Sequence, residues 1–152
     1  MSFNNIKTKL RQDRGFTIVE LLIVIVVIGI LAAITIVSFN GVTARANTAS
    51  AQSAAESAVK KIEAYNAEKA SYPATFGVLQ LTANSGTSYY LTGVTFATSA
   101  YAAQPGTPQT VMLYSCTTSG MIVKYWKYDG TPAVQSMNTG DTSGTCTTLV
   151  TT

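Results

Sequence analysis

The stretch that decides the fold is residues 15–39, which read GFTIVELLIVIVVIGILAAITIVSF. Every residue from 21 to 34 is apolar or glycine, and Glu20 is the only charged residue between positions 16 and 39. As an α-helix, residues 16–39 would reach about 36 Å, which is enough to cross a hydrocarbon core of roughly 30 Å. This stretch therefore predicts a membrane-spanning helix.

The charges around this stretch predict its orientation. Residues 1–15 hold four of the ten basic side chains of the chain and one of the seven acidic side chains. Positive residues that flank a first apolar segment stay in the cytoplasm, so everything after residue 39 is expected on the other side of the membrane. The rest of the chain carries equal numbers of basic and acidic side chains, which does not favour a nucleic-acid surface.

Glu20 lies only a few residues into the apolar stretch. A carboxylate costs about 2.5–3.5 kcal/mol at the middle of a membrane and less near its surface, so an ionisable residue there indicates a function. Two simpler interpretations of the stretch stay open. It resembles an ordinary secretory signal cleaved after Ala32-Ala33, or an uncleaved signal anchor, but neither explains a carboxylate beside a Gly-Phe junction.

Residues 14–21 read Arg-Gly-Phe-Thr-Ile-Val-Glu-Leu. Together with the basic leader and the apolar run, they resemble the processing site of type IV prepilins and pseudopilins over about residues 7–36. The resemblance implies that residues 1–15 are a leader, which a membrane-embedded prepilin peptidase removes after Gly15 before it N-methylates Phe16. It also implies that Glu20 pairs with the amino terminus of a neighbouring subunit during filament assembly.

The helix is predicted to continue beyond the membrane, from residue 17 to residue 70, with residues 40–73 as its amphipathic half. Residues 42–70 contain no proline, and Pro73 is expected to end the helix. Glu56 and Lys60 are expected to pair on its solvent side. An apolar stripe recurs at helical spacing: Ala51, Ala55, Ala58, Ile62 and Tyr65.

Residues 74–152 predict an extracytoplasmic β domain. Residues 74–108 are predicted to form a long, partly structured connection with one short strand, for which the runs at residues 88–91 and 94–96 are both candidates. The remaining strands are expected at residues 110–116, 120–128, 133–137 and 145–150, with turns at residues 117–119 and at Asp129-Gly130. A small antiparallel sheet of these strands would cover the helix stripe, which gives a pilin-like α+β fold.

The chain has two cysteines, Cys116 and Cys146. Both are expected outside the cytoplasm, where thiols are usually oxidised, so they predict a disulfide; two free thiols are the alternative. The resemblance points the same way, because pilins commonly fasten their C-terminal region with a disulfide. The bond would contribute roughly 3–4 kcal/mol through the lost entropy of the unfolded chain.

The residues that carry most enzyme chemistry are scarce, so we predict no catalytic, cofactor or metal residues. The chain has no histidine, and Asp129 and Asp141 are the only acidic residues beyond Glu68. These two aspartates could bind calcium, as in some pseudopilins, but exposed turns explain them more simply. Two further sets remain as weaker candidates. Lys60, Lys61, Lys124 and Lys127 could contact DNA, and Tyr125, Trp126 and Tyr128 could form a stacking platform.

Three functions are consistent with this sequence. The favoured one is a major or abundant pilin: a non-enzymatic subunit that polymerises with copies of itself into a surface filament for motility, adhesion or DNA uptake. Its other partners would be the membrane before assembly, the prepilin peptidase and the inner-membrane assembly machinery. The alternatives are a pseudopilin of a type II secretion or competence apparatus, and a membrane-anchored binding domain that never polymerises.

Overall fold

One long helix, α1, spans Ile18–Lys69 in the computed structural model, which describes residues 15–117, 119–130 and 133–149. A small five-stranded sheet follows it, so the expected α+β class is confirmed. The chain divides into two compact units, with the boundary between Phe39 and Asn40.

In the first unit, all the described residues from 15 to 39 are exposed, and most of them are large and apolar. Helix α1 is long and apolar enough to cross a membrane. Full burial of a large aliphatic side chain is worth about 1.5–3 kcal/mol, and the large aliphatic side chains of this unit remain 48–86% exposed. The first unit therefore has a surface suited to lipid or to other apolar helices.

In the second unit, α1 packs against the sheet through a stripe of mostly small residues. The buried residues of this stripe are Ala51, Ala54, Ala55, Ala58 and Ile62. They share one core with sheet residues that include Val111, Leu113, Met121 and Val123. The predicted stripe is confirmed, except that Tyr65 is only half-buried and packs edge-on against Tyr89, with 5.0 Å between ring centroids.

α1 ends within one residue of the predicted position, residue 70, but the cause differs from the prediction. The helix ends at Lys69 rather than being ended by Pro73, because Ala70 adopts a left-handed φ of 54°. The Ala70 N–H still donates to the carbonyl of Asn66 at 2.8 Å. A left-handed residue directly after the last turn is a common way to satisfy and close a helix end. The left-handed turn at Ala70, three residues before Pro73, therefore ends α1.

A four-residue helix, α2 at Gly77–Gln80, and a 3₁₀ helix at Thr82–Asn84 come after α1, and five short strands follow them. Their bounds are β1 Thr95–Phe96, β2 Thr110–Cys116, β3 Gly120–Trp126, β4 Val134–Gly140 and β5 Cys146–Thr148. The sheet order is β1-β2-β3-β4, and β5 also pairs with β2. β1 and β5 therefore share one edge of β2, at opposite ends of that strand.

The sheet is mixed, whereas the sequence predicted an antiparallel one. β1 runs parallel to β2, and the other pairs are antiparallel. A parallel pair needs a crossover of a dozen or more residues, which residues 97–109 supply. The predicted strand at residues 133–137 instead extends to Gly140, because an edge strand needs only backbone partners and tolerates polar side chains.

Candidate functional site

The predicted cleavage junction lies just outside the helix. Gly15, Phe16 and Thr17 precede the first residue of α1 and have no regular secondary structure. All three are exposed, and Phe16 is 90% exposed. A Cβ added at Gly15 would meet no atom within 4 Å. The chain itself accommodates a side chain at this position, so any need for glycine would come from a peptidase.

Thr17 and Glu20 form a capping box at the start of α1. The backbone N–H of Glu20 donates to the Thr17 hydroxyl at 3.2 Å. In return, Glu20 Oε2 accepts from the backbone N–H of Thr17 at 2.8 Å and from its hydroxyl at 2.7 Å. These bonds satisfy backbone donors that have no partner inside the helix, which fixes its first turn.

Sequence reasoning assigned Glu20 an assembly role and missed this local one. The signal was present, because Thr-x-x-Glu directly before an apolar run is the signature of a capping box. The capping box also explains why the helix begins at Ile18, two residues after Phe16 of the predicted cleavage junction.

The capping box provides no cationic partner for the Glu20 carboxylate. Both bonds from Thr17 reach the same carboxylate oxygen, and their donors are neutral. Among the described residues, the one ion pair joins Lys69 to Glu68. The Glu20 carboxylate is thus oriented toward the N-terminal end of the helix and can accept a cation from another molecule.

A second candidate site is the disulfide, which the structure contains between Cys116 and Cys146. Cys116 ends β2 and Cys146 begins β5, and the two are register partners in the sheet. The Thr117 N–H donates to the carbonyl of Thr145 beside the bond, at 3.1 Å. The disulfide therefore fastens the C-terminal strand to the middle of the sheet and closes a loop that contains β3 and β4.

Replacing both cysteines by serine is expected to lower the Tm of the full chain in detergent by on the order of 10 °C or more. The unfolded chain regains the entropy that the 30-residue loop had lost. Circular dichroism at rising temperature measures the effect, and reduced wild-type protein is the control. Native protein whose thiols react with an alkylating reagent before reduction would contradict the prediction.

The two candidate calcium ligands, Asp129 and Asp141, accept hydrogen bonds from different parts of the chain. Asp129 Oδ1 accepts from the hydroxyl of Thr48 on α1 at 2.9 Å, and that hydroxyl also accepts from the N–H of Tyr128. Hydrogen bonds from the side chain and backbone of Ser143 lower the pKa of Asp141. Within the described ranges, no three His, Cys, Asp or Glu residues are grouped to hold a metal.

The aromatic candidates lie on different faces of the sheet. Tyr125 packs against the core, whereas Trp126 packs edge-on against Tyr101 at 5.8 Å between centroids. Tyr128 donates its hydroxyl to the carbonyl of Pro105. Burial raises the pKa of Tyr101, whose hydroxyl donates to the carbonyl of Thr110 at 2.8 Å. These contacts fasten the 97–109 connection over the sheet and do not form one stacking platform.

Two of the candidate lysines interact with their own chain. Lys61 donates to the carbonyl of Ser88 at 2.6 Å. The Lys124 ammonium lies 4.3 Å from the centroid of the Tyr114 ring, which is a cation–π contact. Lys61 is on α1 and Lys124 is on β3, so the candidate lysines are distributed over different elements.

Comparison with known protein families gives a match for the N-terminal segment of the chain. The prokaryotic N-terminal methylation motif matches residues 10–36. These residues therefore carry a class III signal peptide of the type IV pilin and pseudopilin type, which confirms the resemblance over this segment. The motif supports a type IV pilin-like or pseudopilin protein, a structural class. No curated protein and no solved structure matches the chain.

Proposed function

We propose that this chain is a major or abundant pilin, a structural subunit that polymerises through its N-terminal helix into a type IV pilus. The observation that carries the proposal is the methylation motif at residues 10–36, with Glu20 inside the apolar run. A simple anchor would use Glu20 only for its capping bonds, which a neutral glutamine could also make, whereas a packed array of helices gains a charge that a neighbouring amine can pair.

Processing supplies that amine. Cleavage after Gly15 by the prepilin peptidase creates a cationic amino group on Phe16, which the same enzyme then N-methylates. In the filament this amine pairs with Glu20 of a neighbouring copy, where the low dielectric makes an unpaired charge cost several kcal/mol. A copy docked out of register leaves its carboxylate unpaired, so Glu20 selects the stagger as well as adding attraction.

Location follows from the same steps. Before assembly the subunit is a single-pass membrane protein with a cytoplasmic N-terminus, anchored by residues 16–39. The amphipathic half of α1 with the turn that follows it, residues 40–73, and the β domain, residues 74–152, lie outside the cytoplasm. After processing, the assembly machinery of the inner membrane adds the subunit to a surface filament. The disulfide between Cys116 and Cys146 supports this location, since such bonds persist outside the cytosol.

Deletion of the gene tests the proposal against the pseudopilin and tethered-domain alternatives. Electron microscopy of wild-type cells is expected to show long surface fibres that the deletion removes and that antibody against this chain labels. Loss of protein secretion or DNA uptake without any loss of fibres would favour a pseudopilin. A chain that stays in the membrane fraction under all conditions would instead indicate a tethered domain.

A further inference from the structure

The side of α1 that faces away from the sheet carries an exposed, charged stripe, here called the outer helix face. Its exposed members recur at spacings of three and four residues: Arg45, Ala49, Gln52, Glu56, Lys60, Glu63 and Ala67. The stripe that packs on the sheet, from Ala51 to Ile62, occupies the opposite side. Glu63 lies at the border of this face, because its Oε1 accepts a hydrogen bond from the hydroxyl of Thr139 on β4 at 3.3 Å. The other members of the outer helix face have no hydrogen bond or ion pair with the described part of the sheet and are free for contact with another molecule.

Glu56 and Lys60 do not pair within the chain, although their spacing predicted it. Glu56 Oε1 accepts from Gln52 Nε2 at 3.0 Å instead. The Lys60 ammonium has neither a hydrogen bond nor an ion pair with any described residue. Glu56 and Lys60 are thus exposed, opposite in charge and four residues apart. Neither makes an ion pair with a described residue.

These charges limit how two copies can lie side by side. Copies that share one membrane orientation have parallel helices. With no stagger, Glu56 would face Glu56 and Lys60 would face Lys60, which is repulsive. A stagger of four residues, about 6 Å along the axis, places Glu56 of one copy beside Lys60 of the next.

The same stagger also suits the other charges of the outer helix face. Arg45 of one copy would lie beside Ala49 of the next, and Glu63 beside Ala67. No like charges meet in this arrangement. Four residues is also the spacing between Phe16 and Glu20, which are paired between copies in the proposed filament.

We propose that the outer helix face docks on a second copy of this chain with a four-residue stagger, and that Glu56 of one copy pairs with Lys60 of the next. The inference rests on the proposed function, because the membrane anchor and the filament supply the parallel neighbours. A competing stagger of eleven residues would pair Arg45 with Glu56 instead.

Charge reversal in the full chain distinguishes the two staggers. Glu56→Lys or Lys60→Glu alone is expected to reduce sheared fibre by at least about tenfold, since like charges then meet at every contact. The double variant Glu56→Lys/Lys60→Glu is expected to recover most of the fibre. Arg45→Glu is the matched control, because its neighbour at this stagger is Ala49. Recovery in Arg45→Glu/Glu56→Arg, but not in the first double variant, would overturn the proposed stagger.

Chemical cross-linking tests the contact without requiring fibres. Cells that express Glu56→Gln and Lys60→Gln chains together can join Glu56 to Lys60 only between copies. A zero-length carbodiimide is expected to give covalent dimers in these cells, with the Glu56–Lys60 link identified by peptide mass spectrometry. Each variant expressed alone is the control, because it lacks one half of the pair.

The two experiments separate this inference from the proposed function. Abundant wild-type fibres with no Glu56–Lys60 link and no charge-reversal recovery would overturn the contact and leave the pilin assignment standing. Cross-linked dimers without any fibres would support the contact and contradict the pilin assignment. If neither fibres nor links appear, both are wrong.

Discussion

Replacing Gly15 by leucine is expected to leave the chain uncleaved in the membrane and to abolish surface fibres. A peptidase at the membrane surface must bring its catalytic groups close to the backbone, and a bulky side chain at the junction blocks that approach. The variant should still insert and fold, because an added Cβ at Gly15 meets no atom within 4 Å. The defect would therefore lie in processing alone.

Intact-mass analysis of membrane and filament protein measures this result. Wild-type protein should begin at an N-methylated Phe16, and the Gly15→Leu chain should keep its leader. Gly29→Leu is the matched control, because Gly29 lies in the same apolar stretch and also has open space around its Cα. Normal cleavage of the Gly15→Leu chain would contradict the prediction. A wild-type start near Ile34 would indicate an ordinary signal peptidase instead.

A chain with Glu20→Leu is expected to be inserted and cleaved normally but to yield at least about tenfold less sheared fibre. The Phe16 amine of a neighbour then loses its partner in a low-dielectric contact, which costs several kcal/mol. Processed subunit should therefore accumulate in the membrane. Blotting of the sheared and membrane fractions measures both amounts.

Glu20→Gln separates the charge of this residue from its capping role. Glutamine can still accept the Thr17 N–H in a capping box, as Glu20 does in the structure, but it carries no charge. If pairing with an amine matters, Glu20→Gln should be as defective as Glu20→Leu. Wild-type fibre from Glu20→Gln would assign Glu20 to the helix start alone. Wild-type fibre from Glu20→Leu would leave it as an interfacial residue that reaches toward water.

Much of the second unit could be predicted because its signals are periodic. The stripe from Ala51 to Ile62 marked the side of α1 that packs on the sheet, and the dense apolar runs marked β2 and β3. The end of α1 was predicted to within one residue, but its cause was not. No sequence signal indicated that Ala70 would adopt a left-handed conformation. Pro73 is a strong signal for a helix end, but it lies after the point where α1 has already ended.

Local patterns also predicted a contact that the structure does not contain. The i, i+4 spacing of Glu56 and Lys60 favours a pair, but Gln52 is at an equally suitable distance and donates to Glu56 instead. Surface pairs of this kind contribute only a few tenths of a kcal/mol, so a neighbouring side chain readily displaces one. That displacement is what leaves Lys60 available to a second copy.

The sequence by itself determined the signal segment and the apolar helix, because each depends on composition and spacing within a few turns. Only the tertiary structure decided the contacts between segments that are far apart in the chain. β1 pairs with a strand that begins fourteen residues further along the chain, and a Cβ at Gly120 would overlap the backbone of Asp141. Contacts between distant segments depend on how the whole chain folds, and no local sequence pattern predicts them.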